Sequence, residues 1–247
     1  MQKNDVRDVV FLHGWGSGAG IWDDLARRLA PRFRVRALPL PGYGADTASG
    51  THSLQAIVAA IARAAPRRCG VVGWSLGGEV ALAWARRAGH QVQRLALIAT
   101  TPCFTSRPGW RCATAPAVLR EIGRSLAADR AGTLARFAAV QARGDAHARQ
   151  VARLLKQSSE RSAPGEVLKA GLAVLSNTDL RRELPRVQQP AVVLHGARDC
   201  VVPPAAGRRL AAALPNARFA LLRDCAHAPF LSQPERVART LREFFDE

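Results

Sequence analysis

Gly70-Val-Val-Gly-Trp-Ser-Leu-Gly-Gly-Glu79 is the stretch from which this 247-residue chain is best read. Its first half, Gly70 to Trp74, is short and apolar, the signature of a buried strand. From Leu76 to Arg87 the apolar residues follow a helical period. Between strand and helix lies Gly73-Trp-Ser-Leu-Gly77. This is a G-x-S-x-G pattern in the strand–turn–helix context that an activated serine requires. Small residues flank the serine because the turn is sharp, and a side chain at Gly73 or Gly77 would strike neighbouring elements. The turn lifts the Ser75 hydroxyl above the sheet edge. The helix that follows aims its positive end and the Leu76 N–H at the same spot. The competing reading is a glycine-rich turn with an incidental serine.

The same beat extends in both directions. Val9–His13, Val35–Leu38, Arg94–Ala99, Ala191–His195 and Arg218–Leu222 read as further strands. Trp22–Ala30, Ser53–Ala65 (with Ser53 as N-cap), Ala205–Ala213 and Pro234–Phe245 read as helices. Strands alternating with helices give an α/β fold with a mostly parallel central sheet covered on both faces. The beat fails between Phe104 and Arg186. No strand is convincing there, and Val118, Leu119, Ile122, Leu126 and then Leu134, Phe137, Ala138, Val140 recur at helical spacing. Residues 104–186 are therefore expected to be a helical lid insertion. The core is then expected to comprise residues 1–103 and 187–247. Such an insertion would sit over the carboxyl ends of the strands, where open sheets place their ligands.

A serine hydroxyl needs a base. His227 follows the last strand in Asp224-Cys-Ala-His-Ala-Pro-Phe230. Asp199 follows the preceding strand in His195-Gly-Ala-Arg-Asp-Cys-Val-Val-Pro203. The order Ser75, Asp199, His227 suits this architecture. His227 would take the Ser75 proton, and Asp199 would fix its tautomer. A loop histidine and an Asx-turn aspartate are the plainer readings. Asp224 and Asp179 rank below Asp199 as rival acids. His13-Gly-Trp-Gly16 follows the first strand. There the Trp15 N–H is placed to join the Leu76 N–H in holding an oxyanion, each donor worth about 3 kcal/mol of barrier. His13 is expected to brace this loop. The rings of Trp15 and Trp74 are expected to wall an acyl pocket, with burial in the core as the alternative.

Composition narrows the class further. Apolar residues are 48% and charged residues 22%, which excludes disordered, collagenous and small disulfide-scaffold classes. No apolar run is long enough to span a bilayer, and Met1–Val10 holds no signal-peptide core, so the expected compartment is the cytoplasm. Five cysteines without regular spacing read as reduced thiols, with no zinc site. The net charge of +17 comes almost wholly from arginine. Either codon bias or an acidic partner explains it.

Together with Pro39-Leu-Pro-Gly-Tyr-Gly44, these motifs resemble those of an α/β-hydrolase. Gly73–Gly78, Thr101-Pro-Cys-Phe104, Arg136-Phe-Ala-Ala-Val-Gln141 and Ala226-His-Ala-Pro-Phe230 are similar to the BioH family. Those enzymes are the pimeloyl-[acyl-carrier protein] methyl ester esterases of biotin synthesis. The resemblance implies a catalytic set of Ser75, Asp199 and His227. It also implies oxyanion or substrate contacts at Trp15 and Leu76, and a substrate-touching segment over Phe137, Ala138, Ala139, Val140 and Gln141. Ordinary helix packing is the plainer account of that last segment. The resemblance implies no cofactor, no metal, and a partner in acyl carrier protein bearing a pimeloyl methyl ester. Family members usually open with an extra strand, whereas eight residues precede Val9 here. This leaves an abbreviated edge or a late start codon.

Residues 104–186 hold 15 Lys plus Arg against 7 Asp plus Glu. Arg149 and Arg153 are four apart on one helical face, and Arg136 could join them to steer a small acidic carrier protein. Solvated helix faces are the competing account. Rival functions are a broad short-chain esterase, a C–C hydrolase, a nucleic-acid module and a catalytically dead binder. The charge alone suggests nucleic acid, but no zinc-finger or RNP-like pattern supports it. The expected partners therefore include no nucleic acid and no membrane, and the chain is expected to be a monomer.

Overall fold

The computed structural model describes residues 6–44, 53–160 and 163–247. Among these residues six strands form one sheet: β1 (Asp8–Leu12), β2 (Arg34–Leu38), β3 (Cys69–Trp74), β4 (Val92–Ile98), β5 (Ala191–Gly196) and β6 (Ala217–Leu222). The order is β2-β1-β3-β4-β5-β6, and every pairing is parallel. The sheet is thus wholly rather than mostly parallel. The chain runs outward from β1 to β2, then returns to the other side of β1 with β3. That reversal makes a switch point, where ligands of open α/β sheets bind beyond the carboxyl ends of the strands.

Strand alternation divides the core in two. Val10, Leu12, Val71, Leu95, Leu97 and Val193 face one layer. Val9, Phe11, Val72, Trp74, Ala96, Ile98, Val192 and Leu194 face the other. Side chains two apart share a face, so each strand feeds both layers. The first layer is closed by α2 (Leu54–Ala64), α3 (Leu76–Arg87) and α8 (Pro204–Ala213); the second by α1 (Asp23–Leu29) and α10 (Pro234–Asp246). β3 is buried at all six positions, as a central parallel strand must be. The edge strand β2 is more exposed and carries Arg34 and Arg36. Arg34 clasps Asp8 of β1 with two bonds of 3.0 and 2.7 Å. A charged edge of this kind discourages pairing with another chain.

Several boundaries differ from the sequence reading. The expected helix over Trp22–Ala30 divides into a 3₁₀ turn at Ala19–Trp22 and α1, which opens on Asp23 and Asp24. Ser53 does cap α2, its Oγ accepting from the Ala56 N–H at 3.2 Å. Between β4 and β5 lie α4 (Pro116–Ala128), α5 (Arg130–Ala142), α6 (Ala148–Glu160) and α7 (Gly165–Asn177). Pro116 starts α4, and Asp129 caps α5 through the Gly132 N–H at 2.8 Å. These helices do not share one core. Leu119, Leu126, Leu134 and α7 join the first layer, while Ala138, Ala142, Val151 and Leu155 join the second. A final short helix, α9 (Pro229–Ser232), links the loop after β6 to α10.

Candidate active site

Ser75 sits between β3 and α3 at φ 54° and ψ −117°, a backbone region that side-chain-bearing residues rarely occupy. The strain is held from several sides. The Ser75 N–H donates to the Ile98 carbonyl at 3.0 Å, and its own carbonyl accepts from the Gly78 N–H at 2.9 Å. The Thr100 hydroxyl also donates to that carbonyl, at 2.7 Å. The glycines are there for contact. A Cβ at Gly73 would lie 2.7 Å from the Gly78 Cα, and one at Gly77 would run into the Leu12 carbonyl. α3 therefore presses against β1 and β3 with no room for a side chain. Leu76 is the first residue of α3, so its N–H has no acceptor within the helix.

Asp199 and His227 come from the turns after β5 and β6. The two carboxylate oxygens of Asp199 divide their work. Oδ1 accepts from the Val201 and Val202 N–H groups at 2.8 and 2.9 Å, which is the Asx-turn duty. Oδ2 lies 2.8 Å from His227 Nδ1. Burial pushes the Asp199 carboxyl up, but the charge of His227 and hydrogen bonds from His195 and His227 outweigh it. The group is held well below the usual carboxylate range. His227 is buried, and its Nε2 has no hydrogen-bond partner among the described residues, Ser75 Oγ included. The rival acids do not meet His227. Asp179 grips Arg181 through bonds of 2.8 and 2.6 Å, and Asp224 is exposed, whereas the buried His227 lies against Asp199.

The loop after β1 is braced as well. His13 Nε2 accepts from the Leu40 N–H at 3.1 Å, and its Nδ1 lies 2.9 Å from the Gly14 carbonyl. Burial pushes this imidazole down to about 4, against the opposing pull of the Gly14 carbonyl, so it is neutral at neutral pH. The Trp15 indole donates to the Leu168 carbonyl of α7 at 2.8 Å and meets Phe137 edge-on at 5.1 Å. Trp15 thus pins α5 and α7 to the core. Trp74 differs from the expected pocket wall. It is fully buried, lies against Trp22 and Phe230, and donates to the His227 carbonyl at 2.9 Å. Its alternating position on β3 points it into the second core layer, beneath the His227 loop.

The segment Phe137–Gln141 does not act as one surface. Phe137 and Val140 line a groove of about 240 Å³ between α4, α5 and the turn after β5. Phe104, Val118, Ile122 and Arg136 line it too. Ala138 is in the second core layer and Ala139 is exposed. Gln141 is buried, and its carbonyl accepts from the His227 N–H at 3.1 Å. A helix presents successive residues about 100° apart, so five consecutive positions cannot all face one groove. A larger cleft of about 760 Å³ adjoins α1 and α6; none of Ser75, Asp199 or His227 lines either hollow, and the groove reaches the Asp199 turn through Cys200 and Val201.

The family model described as "Alpha/beta hydrolase family" matches residues 9–240. The chain belongs to the alpha/beta hydrolase family. It is 44% identical over 94% of its length to a protein of Aromatoleum aromaticum, covering 95% of that protein. It is 40% identical over 93% of its length to one of Nitrosomonas europaea, covering 92% of it. Both are named pimeloyl-[acyl-carrier protein] methyl ester esterase. Within the hydrolase family the chain groups with these esterases, which makes it a carboxylic ester hydrolase. An esterase structure from Exiguobacterium antarcticum superposes with a TM-score of 0.90 at 22% identity, covering 98% of this chain and 92% of that one. That likeness speaks to the fold.

Other parts of this hydrolase site were not signalled by motif. Thr100 holds the Ser75 carbonyl; its only sequence signal is a polar residue just after an apolar strand. His195 is fully buried, with Nε2 2.9 Å from the Val202 carbonyl and 3.2 Å from Asp199 Oδ2. In sequence it reads as the end of a strand, and it does lie in β5. Asp145, in the turn between α5 and α6, reaches the His227 loop from 81 residues away in sequence. Arg136, Arg149 and Arg153 are all exposed. Arg136 lies on the groove and pairs with Asp129 at 3.5 Å. Arg149 and Arg153 lie on α6, away from the face that buries Val151 and Leu155.

Proposed function

We propose that this hydrolase cleaves the methyl ester of pimeloyl-[acyl-carrier protein], releasing methanol and a free carboxylate, as the resemblance to the biotin-pathway esterases implies. The reading rests on near-full-length similarity to two proteins of that name. The observation that carries the chemistry is the 2.8 Å Asp199–His227 contact, in turns beyond the carboxyl ends of β5 and β6, with the strained Ser75 turn beyond the same end of β3.

His227 Nε2 takes the proton from Ser75 Oγ as the oxygen attacks the ester carbonyl carbon. Asp199 keeps Nδ1 protonated and stabilises the imidazolium without itself taking the proton. The oxyanion of the tetrahedral intermediate accepts from the Leu76 and Trp15 N–H groups. On collapse the carbon–methoxy bond breaks, and methoxide leaves with the proton from His227 as methanol. Water then attacks the acyl-enzyme with His227 again as base. His227 returns the proton to Ser75 Oγ as the Ser75–acyl bond breaks, and the acid releases its own proton to solvent and leaves as a carboxylate. The chain's own residues supply the nucleophile, base and oxyanion donors for every step.

Residues 104–186 act as a helical lid over the core formed by 1–103 and 187–247. The groove lined by Phe137, Val140, Val118 and Ile122 takes the apolar acyl chain. Val118 and Val140 are 46% and 38% exposed, the large hydrophobic residues left open among those described. Arg136, Arg149 and Arg153 offer positive charge to the acidic carrier.

The test is hydrolysis of pimeloyl-[acyl-carrier protein] methyl ester by wild type and Ser75→Ala, beside p-nitrophenyl acetate and butyrate. The expected result is fast, salt-sensitive cleavage of the carrier substrate that Ser75→Ala abolishes. Turnover of the small esters alone would move the assignment to a general esterase and return the arginine excess to codon bias.

A further inference from the structure

The loop from Arg223 to Ala228 carries His227, yet it has no strand or helix of its own. Its backbone groups must find partners elsewhere. Besides Trp74 and Arg198, which reach the His227 and Cys225 carbonyls, they find them on α5 and the α5–α6 turn. Asp145 is 7% exposed, and its Oδ2 accepts from the Ala226 N–H at 2.8 Å. Its Oδ1 accepts from the Ser232 hydroxyl at 2.6 Å and from the His147 N–H at 2.8 Å. The neighbouring Ala146 N–H donates to the Asp224 carbonyl at 2.9 Å, and the Gln141 carbonyl receives the His227 N–H at 3.1 Å. The same turn touches the Asp199 loop. Gly144, at φ +84°, lies so close that a Cβ there would be 3.3 Å from the Arg198 Cβ.

We propose that Asp145 is a positioning residue for His227. It clamps the backbone one residue before the imidazole, while Asp199 holds the ring at Nδ1. The inference rests on the reading of His227 as the general base. Hydrogen bonds to a charged acceptor are shorter and stronger than neutral ones, so a carboxylate is well suited to fix a loop. With ring and backbone anchored by different elements, Nε2 keeps one place. Loss of the backbone anchor lets the ring drift, and a misplacement of about 1 Å can cost up to about 10²-fold in rate. The anchor also ties the residues before α6 to the base, so α5 and α6 are fixed to the catalytic loop at this end.

The experiment compares Asp145→Ala, Asp145→Asn, Ser232→Ala and His227→Ala with wild type. It measures kcat and KM for p-nitrophenyl acetate alongside thermal unfolding. Asp145→Ala is expected to lower kcat roughly 10- to 100-fold with KM within about twofold. Asp145→Asn keeps an acceptor oxygen for the Ala226 N–H and should recover part of that loss, which also covers the case in which the alanine variant does not fold. Ser232→Ala removes a donor to the same carboxylate on its other oxygen and should retain kcat. Equal losses of kcat in Asp145→Asn and Ser232→Ala that simply follow their melting temperatures would overturn the proposal. So would wild-type kcat in Asp145→Ala. If His227→Ala kept its activity, the underlying reading of His227 would fail instead.

Discussion

Glu79 lies one helical turn after Ser75, fully buried, and neither carboxyl oxygen has a hydrogen-bond partner among the described residues. Burial alone pushes its pKa well above the ordinary 4.5. The folded protein therefore holds a proton that the unfolded chain releases. Stability falls as pH rises from about 4.5 toward the folded-state value, since unfolding then gains by ionising the group. Glu79→Leu should raise the unfolding free energy by roughly 1–3 kcal/mol, with a larger gain at pH 8 than at pH 5. Urea denaturation at the two pH values checks this; equal gains at both would show that ionisation is not the cause. The helical period of Leu76–Arg87 carries no sign of this, because whether a donor meets Glu79 depends on segments distant in sequence.

Helix α4 shows how neighbouring positions of one element acquire different duties. Both line the groove, but Leu119 is 5% exposed and packs in the first core layer, whereas Val118 is 46% exposed. Leu119→Ala should cost about 2–5 kcal/mol by opening a cavity. Val118→Asp, or Val140→Asp on α5, should change stability by only about 0.5 kcal/mol. Each aspartate should instead lower kcat/KM for p-nitrophenyl butyrate relative to the acetate, by about tenfold, because it puts a charge in the groove proposed for the acyl chain. Thermal melts and the ratio of the two esters measure both effects. An unchanged ratio would remove the groove from the acyl path. Helical periodicity in the sequence showed that these residues belong to a helix. It did not distinguish Val118 from Leu119, because both lie on the same broad apolar stripe.

At the scale of the whole molecule, a net charge of +17 sets a field that a local substitution can only redirect. Arg149→Glu with Arg153→Glu should reduce kcat/KM for the carrier substrate about tenfold at low salt, with p-nitrophenyl acetate unaffected. The deficit should shrink at ~0.5 M salt as the screening length falls below about 8 Å. Loss of activity on both substrates would point to damage within α6 rather than to docking. The charge itself was legible from composition. So was the shared helical face of Arg149 and Arg153, which the structure leaves on the outer side of α6; the pairing of Arg136 with Asp129 was not, because it depends on the geometry of the cap before α5.

The sequence by itself determined the alternating strands and helices, the serine turn with its two obligatory glycines, and the order of Ser75, Asp199 and His227. These are local signals: period, glycine placement and residue type at strand ends. Only the tertiary structure decided that Asp199 rather than Asp224 or Asp179 faces His227, and that Trp74 belongs to the core. It alone joined Asp145 to the His227 loop and separated Phe137 and Val140 from Ala138. Those outcomes depend on which chain segments meet across tens of residues. A hydrogen bond between Asp145 and Ala226 leaves no periodic trace in either segment, since each is a short turn whose partner is chosen by the packing of the whole sheet.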